Sequence, residues 1–170
     1  MNNQTNQGFT LLEAMITIAI AAIILVLAVP SYRDVLERNR VREAVESLSS
    51  DIKLARTEAI KRSADVTLSV DNTEWCYGIG VGAAADACDC TAAVGDADFC
   101  NIKIVNGAQF QDIAFNGNNV TFEFRRGTPS AVSSSTLSSA NYGAQVDVNP
   151  VGLVTICSSG ARSLIHYPDC

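Results

Sequence analysis

The sequence predicts an α+β fold, one long N-terminal helix packed on an antiparallel β-sheet head. Three observations predict it. A run from Phe9 to Val29 holds 21 residues with a single charge, Glu13. A stripe of apolar residues then recurs at steps of three and four from Val41 to Ala59. Beyond Ser63 the pattern changes to short alternating runs separated by turn residues.

At about 1.5 Å per residue the first run just crosses a hydrocarbon layer of roughly 30 Å. It is too long for the apolar region of a secretory signal, and no small-residue cleavage site follows it. Helix is obligatory there, because lipid cannot satisfy an unpaired backbone. Pro30 removes one donor and is expected to kink the helix rather than end it. The stripe explains why: Val41, Ala44, Val45, Leu48, Ile52, Ala55 and Ala59 share one helical face. Arg40, Arg42, Glu43, Glu46, Asp51, Lys53, Glu58 and Lys61 lie between them. Glu58 and Arg62 have the spacing of a helix ion pair. One helix is therefore expected from about Thr10 to Ser63, its first half in lipid and its second half on the head.

In the remainder, Val66–Val70 and Trp75–Val81 read as strands around the turn Asp71-Asn72-Thr73. Residues 83–99 are small, acidic and Cys-rich, and read as a stapled loop. Asn106-Gly107 reads as a hairpin turn between Ile102–Val105 and Ala108–Ile113. Val120–Arg125 reads as a strand, and Ser130–Ala140 as a Ser-rich loop with little to bury. Tyr142–Val148 and Leu153–Cys157 flank a turn at Asn149–Gly152. Ser163–Tyr167 reads as a short last strand.

Charge is uneven. From Arg33 to Arg62 there are eight basic and six acidic residues; from Ser63 onward there are four and eleven, a net of −7. An acidic head argues against broad electrostatic binding of nucleic acid. Cys76, Cys88, Cys90, Cys100, Cys157 and Cys170 all follow the apolar run, and six cysteines in a small head read as a disulfide framework in an oxidising compartment. Zinc is disfavoured, since there is no C-x-x-C pair and one histidine, His166. A Cys88–Cys90 bond would be strained. If each instead pairs with Cys76 or Cys100, Cys157 is left for Cys170, and two arrangements stay open for the other four.

No nucleophile, zinc or phosphate-loop motif occurs. The reading therefore names no catalytic residue, cofactor, metal or small-molecule substrate. His166 stands alone. Asp86, Asp89, Asp96 and Asp98 do not follow a calcium-loop spacing and read as solvated loop acids.

Glu13 is the outlying feature. A carboxylate near the start of a spanning helix either sits at the headgroup level or meets a positive partner, such as a free α-amino group. Gly8-Phe9-Thr10-Leu11-Leu12-Glu13 followed by the apolar run resembles the signal of type IV pilins and type II secretion pseudopilins. That resemblance implies a pilin-like fold, prepilin peptidase cleavage between Gly8 and Phe9, N-methylation of Phe9, and assembly through Glu13 onto a neighbouring subunit's N-terminus. The implied organisation is a leader at 1–8, a transmembrane assembly helix at 9–30, its amphipathic half at 31–63 and a periplasmic head at 64–170. The N-terminus would be cytoplasmic, the precursor in the inner membrane and the mature form in a pilus or pseudopilus. One departure is that Met1–Gln7 carries no basic residue, where the family's leader usually does.

Arg56-Thr57-Glu58-Ala59, Phe122–Pro129 and Cys157-Ser158-Ser159-Gly160 narrow the resemblance to the FimT/GspH branch of minor pilins. The implied function is that of a structural subunit that enters or primes a filament. Its partners would be other pilin or pseudopilin subunits, the peptidase and the inner membrane. Alternatives are a type II secretion pseudopilin, a DNA-binding minor pilin and a membrane-tethered domain that never polymerises. Some FimT-like pilins contact DNA through a Gly-Arg-x-Arg element. Here Gly160-Ala161-Arg162-Ser163 offers one shifted Arg, so that alternative would need Arg125 and Arg126 beside Arg162.

Overall fold

The computed structural model describes residues 10–83 and 87–170, with backbone alone at 27, 28 and 30. The chain divides into two compact units, residues 1–36 and 37–170. A single helix, α1 (Leu11–Arg62), is common to both and runs through Pro30 without interruption.

Both ends of α1 are capped. The Thr10 hydroxyl accepts from the Glu13 amide at 3.2 Å, the first half of a T-x-x-E capping arrangement. At the far end Ser63 takes a left-handed conformation (φ 52°), and the Ala64 and Ser63 amides donate back to the Ala59 and Ile60 carbonyls. This is the geometry that closes a helix C-terminus. Lys61 and Arg62 stand in the last turn, where the helix dipole favours cations.

Among the described residues, the first unit is helix from Leu11 onward. From Leu11 to Val26 every side chain is exposed, and the segment is long and apolar enough to cross a membrane.

The second unit packs residues 37–62 of α1 with two four-stranded antiparallel sheets. Its strands are β1 (Val66–Asp71), β2 (Cys76–Val81), β3 (Lys103–Asn106), β4 (Ala114–Asn116), β5 (Val120–Phe122), β6 (Ser133–Ser138), β7 (Gly143–Val148) and β8 (Val154–Ser158). The first sheet has the order β3-β2-β1-β5, the second β4-β6-β7-β8. The head is thus not one meander: β4 leaves for the second sheet, and β5 returns to pair with the free side of β1, Val66 opposite Phe122. All seven residues of the helical stripe are at most 2% exposed and share one core with Leu68, Tyr77, Ile79, Phe122, Leu137 and Val146. Each buried Val, Leu or Ile contributes about 1.5–3 kcal/mol relative to an exposed one.

Three expectations fail, each for a physical reason. Asn106-Gly107 is not a hairpin turn, and Ala108–Ile113 is not a strand. The Asn106 side chain caps a 3-10 turn at Gly107–Gln109, accepting from the Ala108 amide at 2.9 Å. Gly107 is needed because the Trp75 indole lies over it; a Cβ there would stand 2.4 Å from the ring. Ser130–Ala140 is not a loop. It contains β6, held between β4 and β7, with Ser133, Ser135 and Leu137 buried in alternation. Serine hides a strand's period because it is small and polar on either face. Ser163–Tyr167 forms a turn rather than a strand, and this tail touches the sheet through isolated bridges at Arg162 and Asp169.

Candidate assembly helix and surface sites

Gly8 and Phe9 lie outside the described residues. Glu13 is exposed in the first turn of α1, three residues after its cap, and is the sole acidic residue of that turn. Around it Leu11, Leu12, Met15 and Ile16 are each more than half exposed. A continuous apolar surface of this size requires cover by lipid or by other helices. A carboxylate inside such cover needs a charged or hydrogen-bonding partner.

The head half of α1 carries charges that tie it to the strands. Asp51, grouped above with the polar face, is buried. Its side chain is 3% exposed, takes a hydrogen bond from the Tyr77 hydroxyl at 2.9 Å and pairs with Lys103 Nζ at 2.6 Å. Burial raises the Tyr77 pKa well above its ordinary value, so this phenol stays protonated and acts as the donor. The placement was readable: Asp51 falls three residues after Leu48 and four before Ala55, within the stripe itself. Glu58 is similarly sheltered and accepts from Arg62 Nε at 2.6 Å and Lys61 Nζ at 3.1 Å. Glu37 accepts from the Asn141 side chain (2.9 Å), the Asn141 amide (2.8 Å) and the Ser139 hydroxyl (2.7 Å). The Asn141 side-chain bond, followed by that from Ser139, holds the Glu37 carboxyl below the usual glutamate range. Glu46 takes bonds from Arg42 and from the Tyr167 hydroxyl, which fixes the C-terminal tail to the helix.

The cysteines form three disulfides. Cys157 joins Cys170, and the other four take the interleaved arrangement Cys76–Cys90 and Cys88–Cys100. The two interleaved cystines lie on the outer face of the first sheet. A Cβ on Gly78 would stand 2.2 Å from the Cys100 sulfur, and one on Gly80 2.9 Å from Cys88 Cβ. Glycine at both positions of β2 lets the stapled loop rest directly on the strand.

The three arginines of the DNA reading are not brought together. Arg125 lies over the Phe124 ring at 5.5 Å, in the turn that reaches Gly127. A Cβ on Gly127 would lie 2.8 Å from Ile60 and 3.1 Å from Arg56. Arg162 sits at the other end, where it bridges Tyr142 and favours ionisation of Glu37. Nineteen helical residues separate 37 from 56, about 28 Å along the axis. Arg126 follows Arg125 in the distal turn. A joint phosphate-binding patch of Arg125, Arg126 and Arg162 is therefore absent from this fold.

Among the described residues no group of three or more His, Cys, Asp or Glu side chains could hold a metal ion. Asp86 lies outside them. Asp89 and Asp96 bond within their own turns, to Thr91 and to the Ala93 amide. His166 is exposed, and its Nδ1 lies 2.9 Å from the Ile165 carbonyl.

A long helix with an exposed apolar half, carrying a two-sheet head, is the design of a minor pilin or pseudopilin, a class of structural subunits. Known proteins agree. The family described as Type II transport protein GspH matches residues 44–152, and the prokaryotic N-terminal methylation motif matches residues 3–29. The chain belongs to the GspH family. Two fimbrial proteins of Pseudomonas aeruginosa are 35% identical over 77 residues, 45% of this chain and 49% of theirs. The chain thus spans about half the length of the curated relatives it matches.

Among solved structures, the type IV minor pilin FimU of P. aeruginosa superposes with a TM-score of 0.55 at 16% identity. The match covers 74% of this chain and 98% of that one. The minor pseudopilin EpsH from the Type 2 Secretion System of Vibrio cholerae gives 0.52 at 9% identity, covering 70% and 97%. These two likenesses speak for the fold. The methylation motif and the apolar helix fit a membrane-anchored pilin.

Proposed function

We propose that this protein is a minor filament subunit whose work is assembly, and that the exposed apolar helix with Glu13 as its one acid is the assembling element. A prepilin peptidase cuts between Gly8 and Phe9, and Phe9 is N-methylated. The precursor waits in the inner membrane with its N-terminus cytoplasmic and the head, residues 64–170, in the periplasm. Residues 9–30 then pass from lipid into a bundle of neighbouring helices, which replace the lipid contacts. Glu13 gains the freshly exposed amine of an adjoining subunit. The observation that carries this reading is the uninterrupted exposure of Leu11 to Val26 around a single carboxylate.

The test is Glu13→Ala in the full-length precursor. The expected result is a protein that is processed and carries a folded head, and that is absent from sheared filaments. Normal incorporation of the variant, or a mature protein that still begins at Met1, would sink the proposal and leave a tethered head.

A second reading, the pseudopilus of a type II secretion system, is favoured by the matching family's description. Deletion of the gene separates the two. Loss of surface pili with normal protein export supports a pilus subunit; the reverse supports the pseudopilus.

A further inference from the structure

The end of the head where α1 finishes is built from two touching turns. Gly127, in the turn after β5, lies against the helix; a Cβ on it would stand 2.8 Å from Ile60 Cδ1. Gly152, in the turn between β7 and β8, lies against the first turn; its Cβ would stand 2.8 Å from the Gly127 carbonyl oxygen. Both glycines take a positive φ, 61° and 77°, which lets the turns fold this closely. Arg56 fixes the second turn from the helix side, its Nη1 donating to the Gly152 carbonyl at 3.0 Å.

The side chains that flank these glycines face outward. Val151 and Leu153, on either side of the buried Gly152, are each more than half exposed. Val132 joins them by register. Ser133 pairs with Val148, Val148 pairs with Val154, and all three side chains are buried. Alternation therefore puts Val132 and Leu153 on the outer face, in one row with Asn149 between them, about 10 Å apart. Ile60 borders the same end through Gly127, and it and Val132 are also more than half exposed. One exposed aliphatic residue is ordinary, but four around two touching turns form a patch.

The border of this patch is cationic. Arg125 and Arg126 stand in the Gly127 turn and are both exposed. Lys61 and Arg62 end the helix and share Glu58 between them. The other acids here are Glu123 and Asp65, and Asp65 is engaged by the Phe124 amide. With Arg56, five cations meet three acids, although the chain beyond Ser63 carries a net of −7. Aliphatic side chains on tight turns beside arginines suit the boundary between water and lipid. The aliphatic groups enter the acyl region, and the guanidinium groups stay with headgroup phosphates. A nucleic acid would use the arginines and leave the aliphatic row in water.

We propose that this end of the head docks on an anionic phospholipid bilayer, with Val151 and Leu153 entering the surface and Arg125 and Arg126 on the phosphates. The contact belongs to the head, so its failure would leave the assembly reading standing.

The test uses the full chain with its apolar helix held in nanodiscs of phosphatidylcholine. The discs are mixed with vesicles of phosphatidylglycerol or of phosphatidylcholine, and co-flotation is measured against empty discs. Co-flotation with the phosphatidylglycerol vesicles alone is expected, and added salt should weaken it by screening the headgroups. Val151→Ser with Leu153→Ser should lower vesicle affinity about tenfold or more, through the loss of two inserted aliphatic groups. Arg125→Ala with Arg126→Ala should lower it about tenfold or more by removing two cations from the surface. Each pair is read independently, beside a thermal unfolding curve that shows the head intact.

No co-flotation with phosphatidylglycerol vesicles overturns the proposal. So does equal binding to phosphatidylcholine vesicles, or an affinity unchanged in either double variant. Discs that join one another without vesicles would assign this end to a neighbouring copy and overturn it as well.

Discussion

Replacing Lys103 with methionine isolates the contact that joins α1 to β3. Asp51 is nearly sealed, and its partners are the Tyr77 hydroxyl at 2.9 Å and the Lys103 ammonium at 2.6 Å. Removing one member of a buried ion pair costs about 3–5 kcal/mol, because the remaining charge loses its compensation. Lys103 is 40% exposed, so water reaches the vacated side and the cost falls to the bottom of that range or just below it, about 2–3 kcal/mol. For a head of this size that is a fall of roughly 10 °C in melting temperature. Replacing both members, Asp51→Leu with Lys103→Met, removes the stranded charge. Tyr77 then loses its acceptor but keeps the Ser47 hydroxyl at 3.4 Å, a loss of about 1 kcal/mol. The assay is thermal unfolding at pH 7 followed by circular dichroism, with both variants and the parent in one detergent. The ordering parent, double, single is the signature of a compensated buried charge. A single variant as stable as the parent, or a double variant as unstable as the single, would refute the reasoning.

Two further outcomes follow from the geometry. Glu37 has a folded pKa below its ordinary value of 4.5, so its bonds to Asn141 and Ser139 contribute stability above that pH and lose it as pH falls through the lowered value. Glu37→Gln should therefore flatten the melting-temperature profile below about pH 4.5, and a profile parallel to the parent's would contradict this. Gly107→Ala places a methyl against Trp75 and should cost about 1–3 kcal/mol by overpacking, read as a lower denaturant midpoint with unchanged slope. A neutral Gly107→Ala would mean that the indole moves freely.

The helix was legible because its periodicity is strong: Val41 to Ala59 repeat at steps of three and four, and all seven residues are buried. Strands β1, β2, β7 and β8 were legible from alternation bounded by turn residues. The strand order was not, because nothing local to Val120–Phe122 says that it returns to β1. β6 was hidden by serines that carry no hydropathy signal. Asn106-Gly107 misled because the same dipeptide that suits a hairpin also suits a capped turn beneath an aromatic ring. Among the charged residues of the helix, the burial of Asp51 could have been found from its place in the stripe. The separation of Arg125 from Arg162 is a tertiary fact.

The pairing of Gly78 and Gly80 with two crossed cystines has a consequence for when this head is finished. Along that part of β2 the sheet owns no side chains of its own to shield it, and its roofing is supplied by sulfur. A chain kept reduced therefore loses that roof, and the loop that carries Cys88, Cys90 and Cys100 is no longer tied down against protease. Oxidation serves here as the last step of construction, and susceptibility to limited digestion before and after adding a thiol oxidant would time it.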